Sequence, residues 1–264
     1  MYGLGVNRLG VTKTSEAFEW EPTNLFANGE QGAWYDPSDL TTLFQNSDGT
    51  TAVAVGDPVG YLGDKSGNEN HAIAANSAKR PTLRQAGSLY YLEFEGAQGL
   101  KTSGNVNFTG TDTMTVCTGV KKEVDASENI VELSTNAGGN VGSFRLAVNS
   151  GSQYRYGSRG DSVLRNATAT GYSVPSTNVV TGFSDISADI ATIRVDGVEK
   201  ATQTLDQGTG NYGSYELNVG ARNNGGGLQF EGFIYSLVIR NVVSNTADLA
   251  STETYVAAKT GVSL

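Results

Sequence analysis

The chain has 264 residues, a formal net charge of −9, 34 glycines and only 17% charged residues. An acidic balance with no Lys/Arg run longer than Lys121–Lys122 excludes a phosphate-tracking surface, so neither DNA nor RNA is an expected partner. A hydrophobic content of 38% excludes a disordered chain, no segment approaches a membrane span, and the lone Cys117 excludes an intramolecular disulfide.

Residues 1–28 carry apolar side chains without a sustained helix or strand period. Tyr2, Leu4, Phe18 and Trp20 are costly to leave in water, so the segment reads as an extended arm that docks on another surface. Met1–Arg8 lacks the continuous apolar stretch of a signal peptide, and synthesis in the cytoplasm without signal-directed export is expected. From residue 29 to 264 strand signals recur at the spacing of an all-β sandwich.

Ala33-Trp34-Tyr35 reads as a short strand stopped at Asp36-Pro37, and Ser38–Gln45 as a helical turn with Leu40, Leu43 and Phe44 on one side. In Tyr90–Gly96, Leu92 and Phe94 face one way while Tyr91, Glu93 and Glu95 face the other. Residues 112–120, 129–133, 142–148, 153–157 and 179–184 read as further strands between Gly/Ser/Asn turns. Ile190–Val195 and Val198–Ala201 flank Asp196-Gly197, whose tolerance of positive φ suits a type I′ hairpin turn. Residues 215–220 and 228–240 complete the strand set. Phe233, Tyr235, Leu237 and Ile239 alternate and predict one buried face. Thr246–Lys259 changes to a helical period, with Asn245 or Thr246 as N-cap and Gly261 as the left-handed terminator.

Several short pieces, weak singly, occur in one order: Asp64-Lys65-Ser66-Gly67-Asn68-Glu69-Asn70-His71-Ala72, Arg80-Pro81-Thr82, Phe94-Glu95-Gly96, Val195-Asp196-Gly197, Phe230-Glu231-Gly232-Phe233-Ile234, and Tyr255–Gly261. In that order they resemble the concanavalin A-like, laminin-G superfamily over roughly residues 30–264, with Glu95 where the family has Asp. The resemblance implies an antiparallel jelly-roll sandwich with the arm before it and a short helix after it. Trp34–Leu40 and Leu43–Asn46 are similar to a version found in tailed-bacteriophage virion proteins. This implies a non-catalytic structural component, either capsid decoration or a tail-associated module. Its location would be the virion, its partners other virion proteins held by the arm and, secondly, host-surface glycans. A homo-oligomer is expected, because particle surfaces are symmetric.

Candidate chemistry is sparse. Glu93 and Glu95 share a strand face at a separation near that of a retaining glycosidase pair, ~5–5.5 Å. However, Ala97 and Gln98 break the Glu-x-Asp-x-x-Glu pattern of jelly-roll glucanases, and no catalytic residue is assigned. His71 lacks a nucleophile elbow or metal partners and reads as a ligand of its own tight loop. No cofactor or metal is expected. The resemblance admits calcium, for which Asp161, Asp185, Asp189, Asn223 and Asn224 would supply oxygen ligands. For sugar recognition the candidates are Tyr154, Tyr156 and Tyr212 as stacking faces, with Arg159, Asp161, Asn223 and Asn224 as hydroxyl partners.

Overall fold

Period-two patterning places one row of each strand in a shared core, and two antiparallel sheets close over that row. The computed structural model describes residues 20–264. The first sheet runs Val198–Gln203, Ile190–Val195, Ser176–Asp185, Thr113–Lys122, Glu231–Arg240, Leu89–Glu95 and Thr82–Ala86. Gly32–Tyr35 pairs with the second half of Glu231–Arg240, and Leu89–Glu95 pairs with its first half. The second sheet runs Arg165–Thr170, Gln153–Arg159, Ser143–Asn149, Glu128–Leu133, Leu217–Val219, Leu100–Thr102, Ala72–Ala74, Tyr61–Leu62 and Leu43–Phe44. Every strand pair in both sheets is antiparallel, and the only α-helix among the described residues is Thr246–Thr260. The all-β sandwich and its closing helix are as expected.

The inter-sheet core holds Leu92, Phe94, Met114, Val116, Val120, Phe144, Leu146, Ile193 and Phe230, with Tyr154, Tyr156 and Tyr212 among them. Each large aromatic buries ~150–250 Å², a gross transfer gain of roughly 4–6 kcal/mol before ordering costs. A smaller cluster fills the other side of the first sheet, where Trp34, Cys117, Val179 and Val238 pack under Val256 and Ala257 of the helix. Gly119 permits this docking, since a Cβ there would collide with the Thr260 hydroxyl and Val256. Burial pushes the Cys117 thiol up to about 12, so it behaves as a small apolar residue.

Local signals explain the helix and the hairpin. Asn245 Oδ1 accepts from the amides of Ala247 and Asp248, both at 3.0 Å, and Gly261 ends the helix at φ +74°. Asp196 and Gly197 take φ of +50° and +73° between the paired Val195 and Val198. The Asp64–Ala72 loop is tied by its own side chains. Asp64 accepts from Trp34, Ser66 and Asn70 amides, while His71 Nδ1 accepts from the Asp64 amide at 3.0 Å.

Three local expectations change. Residues 231–240 do not present one apolar face. A bulge between Ile234 and Ser236 inserts a residue, so Phe233 and Tyr235 face outward while Leu237 and Ile239 face the core. The turn expected over Ser38–Gln45 is a single 3-10 turn at Leu40–Thr42 followed by strand, with Leu43 buried and Phe44 stacked edge-on to Tyr61 at 5.6 Å. Arg165–Thr170 is an edge strand that sequence patterning missed.

Residues 20–28, counted with the arm in the sequence reading, pack on the sandwich. Pro22–Phe26 form a 3-10 helix whose Leu25 and Phe26 join the cluster under the C-terminal helix, and Arg240 Nε donates to the Leu25 carbonyl at 2.7 Å. Tyr2, Leu4 and Phe18 lie outside the described residues.

Candidate functional site

The first sheet's outer side is covered by the helix. Among the described residues the second sheet's outer side carries no helix, and toward its Gln153–Arg159 end the outward row is largely polar. On Gln153–Arg159 the core row is Tyr154, Tyr156 and Ser158, which leaves Gln153, Arg155, Gly157 and Arg159 outside. Across the ladder, Arg145 stands opposite Gly157, and Gly157 opposite Asn166. A Cβ at position 157 would strike Asn166 Oδ1 and Leu164, so glycine lets those two side chains lie over the strand.

The next strand contributes Asn129 and Glu132. Three positions apart, they would normally face opposite ways, but a bulge between Asn129 and Val131 sets both on the outer side. Glu132 is fully buried and is held by Arg222 in a two-pronged pair, with Oε1 accepting from Nη2 at 2.8 Å and Oε2 from Nε at 2.9 Å. Its Oε1 also accepts from the Ala137 amide at 2.6 Å, and its Oε2 accepts from the Asn129 side-chain amide. That last bond fixes the orientation of Asn129 and aims Oδ1 away from Glu132. Among the described residues, neither Asn129 Oδ1 nor Arg145 Nε has a hydrogen-bond partner, although both are shielded from solvent. The two residues line a recess of about 20 Å³, shared with Glu128, Arg155 and Leu228.

Beside the recess lies an open depression of about 310 Å³ lined by Arg155, Arg165, Asn166, Thr168 and Gln203. Arg155 donates to Gln153 Oε1 at 2.9 Å, Arg145 to Asn166 Oδ1 at 3.3 Å, and Arg165 to the Asp206 carbonyl at 2.7 Å. Burial lowers the Arg145 guanidinium from its ordinary value; attraction to Glu132 opposes this, and the charges of Arg222 and Arg155 add to it. Burial likewise pushes the Glu128 carboxyl up to about 7; a hydrogen bond from the Glu231 amide opposes the rise, and the Glu231 charge reinforces it.

The residues picked out from sequence do not form one constellation. Tyr154, Tyr156 and Tyr212 are corrected: their rings sit in the inter-sheet core, at most 1% exposed, and offer no face to a sugar. Their hydroxyls are consumed internally, Tyr154 with Asn178 at 3.1 Å, Tyr156 with Ser184 at 2.8 Å and Tyr212 with Ser158 at 2.6 Å. Strand alternation puts Arg155, between two of them, on the outside instead. Arg159 is on the outer face but donates to the Gly138 carbonyl. Asp161 lies away in a loop, bonded to the Thr209 amide and hydroxyl at 2.8 and 3.0 Å. Asn223 and Asn224 adopt φ of +47° and +55° in the turn behind Arg222, and the Asn224 amide donates to Asn218 Oδ1. Trp20 packs edge-on against Tyr255, centroids 6.3 Å apart. The bulge at residue 130 and the direction of Arg145 and Arg155 carried no sequence signal beyond alternation itself.

Asp185 and Asp189 cap nearby backbone. Asp185 Oδ1 accepts from Ser187 and Ala188, and Asp189 Oδ1 from the Gln207 amide. Among the described residues no group of three or more His, Cys, Asp or Glu side chains is placed to hold a metal ion. Glu93 pairs with Arg84 at 2.6 Å, and Glu95 is exposed directly opposite Glu231. Among the described residues no helix is long and apolar enough to cross a membrane.

The sequence profile of the concanavalin A-like lectin/glucanases superfamily matches residues 94–250. Domain 4 of AbnA, an extracellular GH43 arabinanase from Geobacillus stearothermophilus, is similar at TM-score 0.56 and 14% identity, covering 85% of this chain and 98% of that one. The binding domain of Paraclostridial Mosquitocidal Protein 1 is similar at TM-score 0.54 and 11% identity, covering 75% and 49%. The ligand-binding domain of Botulinum neurotoxin serotype D is similar at TM-score 0.53 and 13% identity, covering 83% and 51%. The chain thus spans about half the length of the last two chains it matches. No curated protein sequence matches it. At these identities the likeness speaks for the fold, while the profile covers more than half of the chain. The chain belongs to the concanavalin A-like lectin/glucanases superfamily.

Proposed function

We propose that this protein is a non-catalytic glycan-recognition module carried on the virion of a tailed bacteriophage, as capsid decoration or as a tail-associated adhesin. The observation that carries the glycan reading is the polar outer face of the second sheet. There, Asn129 Oδ1 offers an unused acceptor and Arg145 Nε an unused donor at one recess. A sugar hydroxyl is donor and acceptor at once and complements both. The adjoining depression adds the side-chain amide of Asn166 and the hydroxyl of Thr168, while the Gln203 amide there is bonded to the Leu205 backbone. Burying Asn129 Oδ1 and Arg145 Nε without partners costs about 1–3 kcal/mol each, a cost that a ligand hydroxyl removes. Two of the similar structures were solved with saccharides, arabinotriose and N-acetylneuraminic acid.

The virion setting rests on the Trp34–Leu40 and Leu43–Asn46 resemblance, with the N-terminal arm expected over residues 1–28 as the docking element, other virion proteins as its partners and a homo-oligomer on the particle. Against hydrolysis, Glu93 is committed to Arg84, and Ala97 and Gln98 break the Glu-x-Asp-x-x-Glu pattern of jelly-roll glucanases. A glycan array probed with the full chain tests recognition, and mass spectrometry of purified particles tests the setting. Retention of saccharides by wild type and loss of that retention in Asn129→Ala are expected. An array with no retained saccharide would sink the recognition reading, and absence of the chain from particles would sink the virion one.

A further inference from the structure

The arginines of this protein divide into two populations. Arg84, Arg194, Arg222 and Arg240 each hold a carboxylate within 3.0 Å. Arg145, Arg155, Arg159 and Arg165 form no ion pair with any described residue; of the described arginines only Arg80 shares this state. All four lie on three adjacent strands, Ser143–Asn149, Gln153–Arg159 and Arg165–Thr170, at one end of the second sheet. Arg145, Arg155 and Arg159 stand in the outer row, while Arg165, opposite Ser158, starts from the inner row at the sheet's edge and meets Arg155 in the depression there. Their hydrogen-bond partners are neutral: a glutamine, an asparagine and two backbone carbonyls. In a chain of net charge −9, four neighbouring cations without an ion-pair partner run against the average composition; the one carboxylate acting on Arg145, Glu132, is already held by Arg222.

Like charges gathered in one place repel one another, and the arrangement persists only at a cost that an anion would relieve. The same region offers the hydroxyl-complementary recess, and Arg155 lines both the recess and the depression beside it. We infer that the ligand of this face is an anionic saccharide, its acidic group received by Arg155 and Arg165 in the depression and a neighbouring hydroxyl by Asn129 and Arg145. This inference rests on the glycan-recognition reading and narrows it. The anion is a carboxylate, as in a uronic or sialic acid, or a sulfate ester; the planar guanidinium fork accepts either. A polynucleotide is disfavoured, because the patch is confined to one end of one sheet while the rest of the chain is acidic.

Titration calorimetry with the full chain separates the cases, using a uronic-acid oligosaccharide, a sulfated oligosaccharide and a neutral hexose oligosaccharide of equal length, with a single-stranded oligonucleotide of matched charge. The expected result is that one anionic saccharide binds at least about tenfold more tightly than the neutral one at low salt, and that this preference shrinks as salt is raised. Arg155→Gln and Arg165→Gln should each remove about tenfold of that preference while leaving the circular dichroism spectrum and melting temperature unchanged. The tighter of the two anionic arms identifies the acidic group. Equal binding of neutral and anionic saccharides would overturn the anionic assignment and leave glycan recognition standing. Binding of no saccharide would remove both. An oligonucleotide held as tightly as the uronate would overturn the assignment in favour of general polyanion binding.

Discussion

The outer sides of the two sheets start from the same period-two rule and end in opposite chemistry. On the first sheet the outward row includes Cys117, Val179 and Val238, and the C-terminal helix covers it. On the second, the outward row includes Asn129, Glu132, Arg145 and Arg155, and no helix among the described residues covers it. The comparison teaches that burial alone does not distinguish a stabilising face from a recognition face. Glu132 and Trp34 are both shielded from solvent, yet Trp34 packs in an apolar cluster with only the Lys65 ammonium over its ring, and Glu132 is surrounded by hydrogen-bond donors. Transfer free energy holds the first face together, and satisfied polarity holds the second.

The sharpest way to break the helix-covered side is Trp34→Ala, which empties the space between Tyr255 and Lys65. A loss of about 3–5 kcal/mol is expected in urea unfolding. A loss under 1 kcal/mol would show that the helix adds little to the sandwich. On the polar side, Glu132→Ala should cost about 2–3 kcal/mol. It orphans the Ala137 amide and leaves Arg222 without its counter-charge, though Arg222 keeps some contact with water. This variant should also free Asn129 to rotate, so saccharide binding should weaken beyond what stability explains. Unchanged binding would detach Glu132 from the positioning of Asn129.

The smallest effect concerns pH at the junction of the two sheets, where the Glu128 carboxylate accepts from the Glu231 amide at 2.9 Å. Its folded value near 7 lies above its ordinary value of 4.5. The unfolded chain therefore releases this proton first as pH rises. The contribution of Glu128 is fully present below about pH 4.5 and is lost progressively up to about pH 7. Glu128→Gln keeps an acceptor for the Glu231 amide and removes the ionisation. It should stabilise the protein by about 1–2 kcal/mol at pH 8 and have little effect at pH 4. Thermal unfolding at both pH values checks this, and equal shifts at the two would refute it.

Much of the fold was legible wherever a local signal has one physical solution. Asp196-Gly197 admits positive φ at two successive residues, and Asn245 and Gly261 complete the two ends of one helix. Leu92 and Phe94 alternate without interruption, so their inward direction followed from period two. The alternation failed as a guide at Tyr235, because a bulge shifts direction without changing composition. Arg165–Thr170 was missed for a related reason: an edge strand of small and polar residues is held by its neighbour, not by its own propensity.

For the candidate site, composition pointed to tyrosines and the tertiary structure withdrew them. An aromatic ring serves a core as well as a sugar, and only the pairing of strands reveals which side of a sheet a residue occupies. From its sequence alone this protein was bound to be all-β, antiparallel and closed by a helix, because turns, caps and alternation act over a few residues. Which polar groups meet on the open sheet was decided by register and by one inserted residue beside Asn129, since contacts between distant strands depend on how the chain pairs rather than on what any segment prefers.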